Sequence, residues 1–459
     1  MVKEQPATFQ CFHCGAQFQK WIGRCLECGQ WGTIEKGTAS HPTSSGGKNN
    51  NAEDKDYATI KTLNLSEIEG KNVNRLMTNV DELDRVLGGG LVPGSIILLG
   101  GEPGIGKSTL ALQLASLIPH TIYISGEESV EQIKLRADRL KIKADTLRLG
   151  NATAIENIIA TIKKQKTENI GASTAIIDSI QTIHSEEIEG ETGNVSQVRA
   201  CTVKLMEFAK NTGITIVLIG QVTKDGAVAG PKTLEHLVDT VLYLEGDQFH
   251  QFRILRAAKN RFGSTDEVGI FSMEETGLTE IKNPSLALLS GRPENVPGSA
   301  VTCLIEGTRP LLVEVQALVT KTAFGYPQRK ASGFDLNRLQ MLIAVLSKRT
   351  GLPLDAYDVF LNVVGGLRAE EQAADLSIIL AVASAMKNKE LPKNLVAFGE
   401  VGLGGEVRSV GQTKKRLEEI KKMGFEIAVI PFTAEPPKTT GIKIASLKNV
   451  QEIVEKIIK

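Results

Sequence analysis

Residues 100–109 read GGEPGIGKST and contain the spacing G-x4-G-K-S, beginning at Gly101. Glycines at these positions let backbone N–H groups turn toward phosphate oxygens, and Lys107 adds positive charge for the β- and γ-phosphates. An apolar run predicts a strand before the loop. The residues after the loop predict a helix, whose N-terminus attracts anions. We therefore predict a Walker A loop that binds ATP, with Ser108 on Mg²⁺. The candidate binding residues are Gly101, Glu102, Pro103, Gly104, Ile105, Gly106, Lys107, Ser108 and Thr109.

Other predicted strands end in polar side chains that phosphoryl transfer needs. Asp178 closes the run TAIID and is predicted to be the Walker B carboxylate, sharing Mg²⁺ with Ser108. Glu127 and Glu128 follow TIYIS, and one of them, with Glu127 as the catalytic candidate, is predicted to orient the attacking water. The alternative is an acid pair that complements a helix dipole. Gln221 follows ITIVLIG and is a candidate sensor of the γ-phosphate.

Four cysteines near the start form two pairs, Cys11-x2-Cys14 and Cys25-x2-Cys28, separated by ten residues. Two such pairs supply the four thiolates of a tetrahedral Zn²⁺ site. A redox dithiol is the alternative. Because four sulfur ligands leave no open coordination position, we expect a structural metal that folds a docking or DNA-contact module.

Composition limits the classes of function. A chain of 459 residues with 41% hydrophobic content suggests two or three domains. Lys plus Arg and Asp plus Glu both total 53, so a nucleic-acid partner would need local basic patches. Aromatic residues make up 5%, so few base-stacking platforms are expected. No long apolar run or secretory signal is present, which predicts a cytoplasmic protein without a membrane partner. The isolated Cys201 and Cys303 are predicted to be small buried hydrophobes.

Composition also suggests four segments along the chain. Residues 1–33 hold the cysteines, and residues 34–56 are a polar, flexible linker. In residues 57–285, β-branched apolar runs alternate with segments that have a helical pattern. This is typical of an α/β fold whose parallel strands are covered on both faces. After a stretch rich in Pro and Gly, residues 286–459 form a second predicted α/β unit.

Several motifs together resemble the bacterial RadA family (also called Sms) of recombination and repair ATPases. They are the four-cysteine knuckle, LDRVLGGGLVPGS, the Walker A loop, VTKDGAVAGPKTLEHLVDTVLYLEGD and KNRFG at 259–263. The resemblance spans the whole chain, and the C-terminal part is similar to the Lon protease domain. It implies a RecA-like P-loop ATPase core with a central parallel sheet, an N-terminal zinc ribbon, and assembly into a homo-oligomeric ring, a hexamer.

The resemblance also assigns basic residues. In such rings a neighbouring subunit donates a cation to the transition state, and Lys259 and Arg261 of KNRFG match that motif. The residues alone leave open whether this pair contacts the phosphates of ATP or of DNA. Lys224 and Lys232 lie in the glycine-containing loop after Gln221 and are candidate DNA contacts in the ring pore, with a plain surface loop as the alternative.

The similarity to Lon breaks at the nucleophile. Lon-type proteases use a Ser–Lys pair, and the matching positions here hold Ala374 and Lys414. Ser377 lies one turn further along the predicted helix and is interpreted as filler. We therefore expect no peptide hydrolysis and a scaffold role for this part.

The predicted function is a DNA-dependent, helicase-like ATPase that uses ATP, Mg²⁺ and Zn²⁺. The resemblance implies that it acts at the nucleoid on single-stranded and branched DNA with the RecA recombinase, promoting branch migration during DNA repair and the stress response. Two alternatives remain open from the residues: a nucleotide-switched regulatory ring that does not use DNA, and an ATP-dependent peptidase, which Ala374 disfavours.

Overall fold

The computed structural model divides the chain into two compact units, Met1–Gly70 and Lys71–Lys459. The predicted linker and the loop that holds Lys224 and Lys232 fall largely or wholly outside the described residues, as does Cys14. The structure describes residues 9–11, 17–18, 20–25, 28, 30–36, 64, 66, 74–143, 145–167, 171–221, 233–246, 252–293, 295–323, 325–434 and 441–458.

The first unit contains a small antiparallel sheet in the order β2-β1-β3. Its strands are β1 (Phe9–Cys11), β2 (Gln17–Phe18) and β3 (Ile34–Lys36). The apolar core of the described part consists of Cys11, Cys25 and Ile34, with a few half-buried side chains around them. A core of this size contributes little stability by itself.

The second unit begins with a nine-stranded sheet in the order β12-β11-β10-β9-β4-β8-β7-β5-β6. Strands β4 to β9 pair in parallel, and β10 to β12 continue the sheet in antiparallel fashion. The strands are β4 (Ile96–Gly101), β5 (Thr121–Ser125), β6 (Arg148–Asn151), β7 (Thr174–Asp178), β8 (Thr215–Ile219), β9 (Thr240–Glu245), β10 (Phe252–Asn260), β11 (Val268–Glu274) and β12 (Gly277–Glu280).

Helices cover both faces of the parallel part. Ile97 and Leu99 of β4 face one apolar cluster, while Ile96 and Leu98 face a second cluster on the other side. Successive strand residues point to opposite faces of the sheet, and both faces are covered, so residues of either orientation must be apolar. The continuous apolar runs in the sequence predicted this pattern. The helices that accompany this sheet are α1 (Asp81–Leu87), α2 (Lys107–Leu117), α3 (Val130–Arg139), α4 (Ile155–Gln165) and α5 (Val195–Thr212), whereas α6 (Pro284–Leu289) packs against the sheet that follows.

A seven-stranded mixed sheet follows, in the order β15-β16-β14-β13-β17-β20-β21, with a separate β18–β19 pair. Its strands are β13 (Ser299–Glu306), β14 (Arg309–Lys321), β15 (Arg329–Ser332), β16 (Tyr357–Val363), β17 (Leu395–Ala397), β18 (Glu400–Val401), β19 (Val407–Arg408), β20 (Ile427–Pro431) and β21 (Lys443–Leu447). Its helices are α7 (Leu336–Thr350), α8 (Asp375–Lys387), α9 (Thr413–Lys422) and α10 (Gln451–Lys456).

Helix α8 is more deeply buried than a single apolar face would require. Every residue from Asp375 to Ser384 is buried, because the helix packs against α7 and against strands β13 and β14. Helix α7 ends at Gly351, which adopts the left-handed conformation with φ 73°. Among the helices of the described ranges, none combines the length and the apolar character that crossing a bilayer requires.

Charged pairs join the two sheets of the second unit. Arg309 Nη1 lies 2.6 Å from Glu82 Oε2, and that glutamate is 3% exposed. Arg256 Nη2 lies 2.6 Å from Glu306 Oε2. These pairs connect residues on both sides of the boundary at 285/286, whose position remains a prediction.

Arg416 of α9 is a buried cation beneath the second sheet. It is 1% exposed, pairs with the Glu371 carboxylate, and donates to the backbone oxygens of Cys303 and Gly411. Its guanidinium carbon lies 5.6 Å from the centre of the Phe398 ring. A buried cation held by several acceptors is costly to disrupt from one side.

We predict that Arg416→Ala lowers the free energy of unfolding by about 3–5 kcal/mol, because it leaves Glu371 and a carbonyl without their donor. Urea denaturation followed by circular dichroism measures the change. Arg408→Ala is the matched control, since the Arg408–Glu406 pair is exposed and solvent screening leaves it little effect on stability. Equal effects of the two variants would contradict the prediction.

Candidate functional site

The carboxyl ends of four neighbouring parallel strands form one edge of the first sheet. Ile219 of β8 pairs with Leu99 of β4 on one side and with Asp178 of β7 on the other. Asp178 in turn pairs with Ser125 at the end of β5. The Walker A loop, Gln221, Asp178 and Glu127 therefore leave the sheet side by side, at the edge where open α/β sheets bind ligands.

The Walker A loop needs its glycines in this position. Gly106 adopts φ 113°, and a Cβ there would lie 2.5 Å from Met273 Cε. A Cβ at Gly101 would lie 2.6 Å from Leu244 O, so a larger residue would push the loop away from β9. Gly106 directly precedes α2, whose first N–H groups point into the loop.

Lys107 is the first residue of α2 and is 5% exposed. Its Nζ donates to Gly101 O at 2.9 Å and to Glu102 O at 2.8 Å. Burial lowers the pKa of Lys107, and the nearby Asp178 and Glu127 carboxylates oppose that effect. The lysine is thus held within the loop, in the electrostatic field of both predicted catalytic acids.

The other loop residues have the exposure that a ligand site requires. Ile105 is buried beneath the loop, while Ser108 and Thr109 are half-buried at the start of α2. The residues at the tip of the loop, all exposed, are Glu102, Pro103 and Gly104. A serine hydroxyl and the Asp178 carboxylate are hard oxygen donors of the kind Mg²⁺ prefers, so these two side chains fit that ion.

Asp178 is anchored by a residue that sequence reasoning missed. The Tyr123 hydroxyl donates to Asp178 Oδ2 at 2.6 Å, and both side chains are buried. Burial and the adjacent carboxylate raise the pKa of Tyr123 well above its ordinary value, so the phenol stays protonated and donates. In the sequence Tyr123 looks like any strand residue, because its partner lies on a different strand.

The two glutamates after β5 have different partners. Ser179 Oγ donates to Glu127 Oε1 at 2.5 Å, and Gln221 Nε2 donates to the same oxygen at 3.4 Å. Glu128 forms an ion pair with Arg136 of α3 instead. Glu127 therefore lies in the row that contains Asp178 and Gln221, whereas Glu128 is turned toward a helix.

Arg253 supports the Walker A loop from the antiparallel part of the sheet. This side chain of β10 is 4% exposed, and its Nε donates to Ile105 O at 3.2 Å. The sequence reading did not single it out, because 148 residues separate the two partners. Strand β10 also contains Arg256 and Lys259, so nothing in its sequence singles out Arg253.

The two cations of KNRFG bind acceptors of the preceding segment. Lys259 Nζ donates to Glu235 O at 2.7 Å, to Val238 O at 2.8 Å and to His236 O at 3.4 Å. Burial lowers the pKa of Lys259, and Arg261 lowers it further. Arg261 lies 3.1 Å from Asp239 Oδ1 and keeps 51% of its side chain exposed.

KNRFG lies at the opposite edge of the sheet from the Walker A loop. Asn260 pairs with Thr240, which pairs with Ile97 near the start of β4. The loop begins at Gly101, which pairs with Leu244. Four residues of strand span about 13 Å, so within one chain the motif and the loop are not brought together.

The position predicted to match the Lon nucleophile holds no reactive group. Ala374 is fully buried at the end of a short helical turn before α8. The Ser377 hydroxyl is buried as well and donates to Ala374 O at 2.7 Å, which is local helical bonding. Lys414 is exposed on α9. These side chains offer no serine that a lysine could deprotonate.

Three of the four predicted zinc ligands lie within the described residues and converge. The sulfur atoms of Cys11, Cys25 and Cys28 all lie within 4.8 Å of one another. Cys11 Sγ and Cys28 Sγ are 3.8 Å apart, which matches the spacing of about 3.8 Å expected between two ligands of tetrahedral zinc. The donor set therefore fits Zn²⁺, with Cys14 as the predicted fourth ligand.

The other two cysteines are buried, as predicted. Burial raises the pKa of Cys201 to about 11 and that of Cys303 to about 12. Neither thiol ionises near neutral pH, so neither competes for metal.

We predict that Cys25→Ser combined with Cys28→Ser releases zinc, because two of the four thiolates are lost. Atomic emission after dialysis should fall from about one zinc ion per chain to a small fraction of that. Cys201→Ala is the control and should keep its metal. Full zinc retention by the double variant would show that these cysteines are not ligands.

Comparisons with known proteins agree with this arrangement. A family model described as "ATPase: KaiC" matches residues 76–279, and one described as "Rubredoxin metal binding domain" matches residues 9–36. The DNA repair protein RadA of Pseudomonas aeruginosa is 44% identical over 98% of both chains, that of Halalkalibacterium halodurans is 46% identical over 98% of both, and that of Bacillus subtilis is 45% identical over 97% of both. The chain therefore belongs to the RadA family of DNA repair proteins, with a RecA-like ATPase domain and an N-terminal zinc ribbon.

Proposed function

We propose that this chain is a DNA-stimulated ATPase motor. It would act on single-stranded and branched DNA and promote branch migration in RecA-mediated strand exchange. The observation that carries the proposal is the row of Lys107, Asp178, Glu127 and Gln221 at one edge of a parallel sheet. Such a row combines a cation that binds phosphate, a metal ligand, an acid that orients water and a side chain that connects the site to the next loop.

The residues divide the work of hydrolysis. Lys107 and the N-terminal N–H groups of α2 bind the β- and γ-phosphates, as Lys107 exchanges loop carbonyls for phosphate oxygens. Ser108 and Asp178 hold Mg²⁺, with Tyr123 fixing the orientation of the Asp178 carboxylate. Bound Mg²⁺ neutralises the charge that develops on the β- and γ-oxygens. Glu127 orients the attacking water and accepts its proton.

Gln221 links this chemistry to DNA. Its side chain donates to Glu127, and the chain then enters residues 222–232, which carry the predicted DNA contacts Lys224 and Lys232. When the hydrogen-bonding state of Glu127 changes on hydrolysis, Gln221 loses or gains its acceptor. The loop that follows it then changes its hold on the DNA backbone. Because lysines contact phosphates, the grip does not depend on base sequence.

A ring of identical subunits completes the site. KNRFG lies at the opposite edge of its own sheet, so Arg261 can reach a γ-phosphate only across a subunit boundary. Head-to-tail packing of the two edges closes a ring, which we propose is a hexamer. Arg261 is the exposed cation of the pair, while Lys259 braces the segment before β9. The peptidase alternative has no support, because Ala374 replaces the nucleophile and is buried.

We predict that Lys107→Ala abolishes ATP turnover, and that Glu127→Gln lowers kcat at least about 100-fold while ATP binding persists. Glu128→Gln is the matched control and should stay within a few-fold of the parent, because Glu128 is paired with Arg136. A coupled assay with and without forked DNA, alongside strand extension in a RecA-driven exchange, measures both activities. Turnover that ignores DNA would favour the regulatory-ring alternative.

Mixing two inactive variants tests the role of Arg261. Lys107→Ala chains keep Arg261, and Arg261→Ala chains keep the Walker A loop, so about a quarter of the boundaries in a random equimolar ring regain both parts. We predict that mixing restores turnover which neither variant shows alone. If Arg261→Ala alone hydrolyses ATP normally without DNA, the side chain does not act on the nucleotide.

A further inference from the structure

Two exposed tryptophans on the zinc ribbon have no role in its core. The chain contains two tryptophans in total, Trp21 and Trp31, and they are 61% and 74% exposed. The described core of the ribbon is built by other side chains around Cys11, Cys25 and Ile34. An exposed indole adds little to folding stability, and large exposed aromatic groups mark binding surfaces.

The two indoles converge on one glycine. A Cβ placed on Gly23 would lie 3.9 Å from Cη2 of Trp21 and 3.8 Å from Cζ3 of Trp31. Both rings therefore border Gly23, and we call this group of residues the indole notch (Trp21, Gly23, Arg24 and Trp31). The Trp21 N–H donates to Ile34 O at 3.0 Å and so fixes that ring by its polar edge. The exposed remainder of this ring is apolar.

Two cationic side chains, Lys20 and Arg24, adjoin the notch residues in the sequence. The Arg24 guanidinium carbon lies 5.9 Å from the centre of the Trp31 ring, a cation–π distance. Residues 20–25 and 30–33 contain Lys20 and Arg24 and no acidic side chain. A ligand with flat aromatic groups on an anionic backbone complements this combination, and single-stranded nucleic acid has both features.

We propose that the indole notch binds an unpaired base of single-stranded DNA by stacking, while Arg24 and Lys20 contact the neighbouring phosphates. The choice of DNA as the ligand rests on the proposed function. The stacking itself is a separate contact, made by the ribbon without ATP. In a duplex each base is already stacked on its neighbours, so the notch selects single strands and the unpaired arms of branched DNA.

The tryptophan content makes the test direct, because all of the intrinsic tryptophan fluorescence comes from the notch. We expect oligothymidylate to quench the fluorescence of the zinc-loaded full chain in the absence of nucleotide. Trp21→Phe and Trp31→Phe each leave one reporter, and both reporters should be quenched with the same midpoint. A blunt duplex and an abasic deoxyribose-phosphate polymer of equal length should quench neither.

Affinity provides a second readout. Trp31→Ala should weaken oligothymidylate binding, measured by anisotropy of a labelled strand, about fivefold to a hundredfold, which is the effect of losing one base–aromatic stack. Trp31→Phe should recover part of that loss. Tyr326→Ala is the matched control, because Tyr326 is 88% exposed in the second unit, and it should bind like the parent.

Three results would overturn the proposal. The first is unchanged tryptophan fluorescence at oligonucleotide concentrations that saturate the anisotropy signal. The second is an equal loss of affinity of Trp31→Ala for the abasic polymer, which would indicate a charge or folding effect. The third is the absence of any oligonucleotide binding, which would also remove the proposed function. If DNA stimulates ATP turnover but does not quench the tryptophans, the proposed role of the notch is wrong while the proposed function stands. If DNA quenches the tryptophans of the Lys107→Ala chain, the notch binds DNA independently of ATP hydrolysis.

Discussion

The hydrogen-bonded register of β4, β8, β7 and β5 is the constraint on which the rest of the candidate site depends. Parallel pairing sends every strand in the same direction, so the Walker A loop and the residues after the other three strands emerge together. A shift of one residue in any strand would turn its side chains to the opposite face. Because both faces are apolar, the register depends on the fit of the individual side chains into the two clusters rather than on a polar face.

Polar contacts, buried at Asp178 and Arg253 and more exposed at Glu127, give the side chains of this edge defined orientations. Tyr123 holds Asp178, Ser179 and Gln221 hold Glu127, and Arg253 holds the backbone under the Walker A loop. In a low-dielectric surrounding each of these bonds is strong, and each would be costly to leave unmade. Partners of this kind are what separate Glu127 from Glu128, two residues that are chemically identical in the sequence.

The two edges of the same sheet carry different groups. One edge carries the Walker A loop and the polar residues after the neighbouring strands, and the other presents Arg261 on a segment braced by Lys259. These two groups do not meet within one chain. The ion pairs Arg309–Glu82 and Arg256–Glu306 tie the second sheet to the first, so the C-terminal part is attached to the ATPase domain.

The sequence by itself determined the motifs whose chemistry is local. The strand and helix around the Walker A loop, the convergence of the described cysteines and the apolar strands depend on a few adjacent residues, and each lies where it was predicted, with Cys14 outside the described range. Only the tertiary structure decided which glutamate faces the catalytic row, that Arg253 and Tyr123 support it, that α8 is buried on all sides, and that KNRFG lies at the far edge. Each of these depends on contacts between residues distant in sequence, and no local pattern encodes which strands will be neighbours.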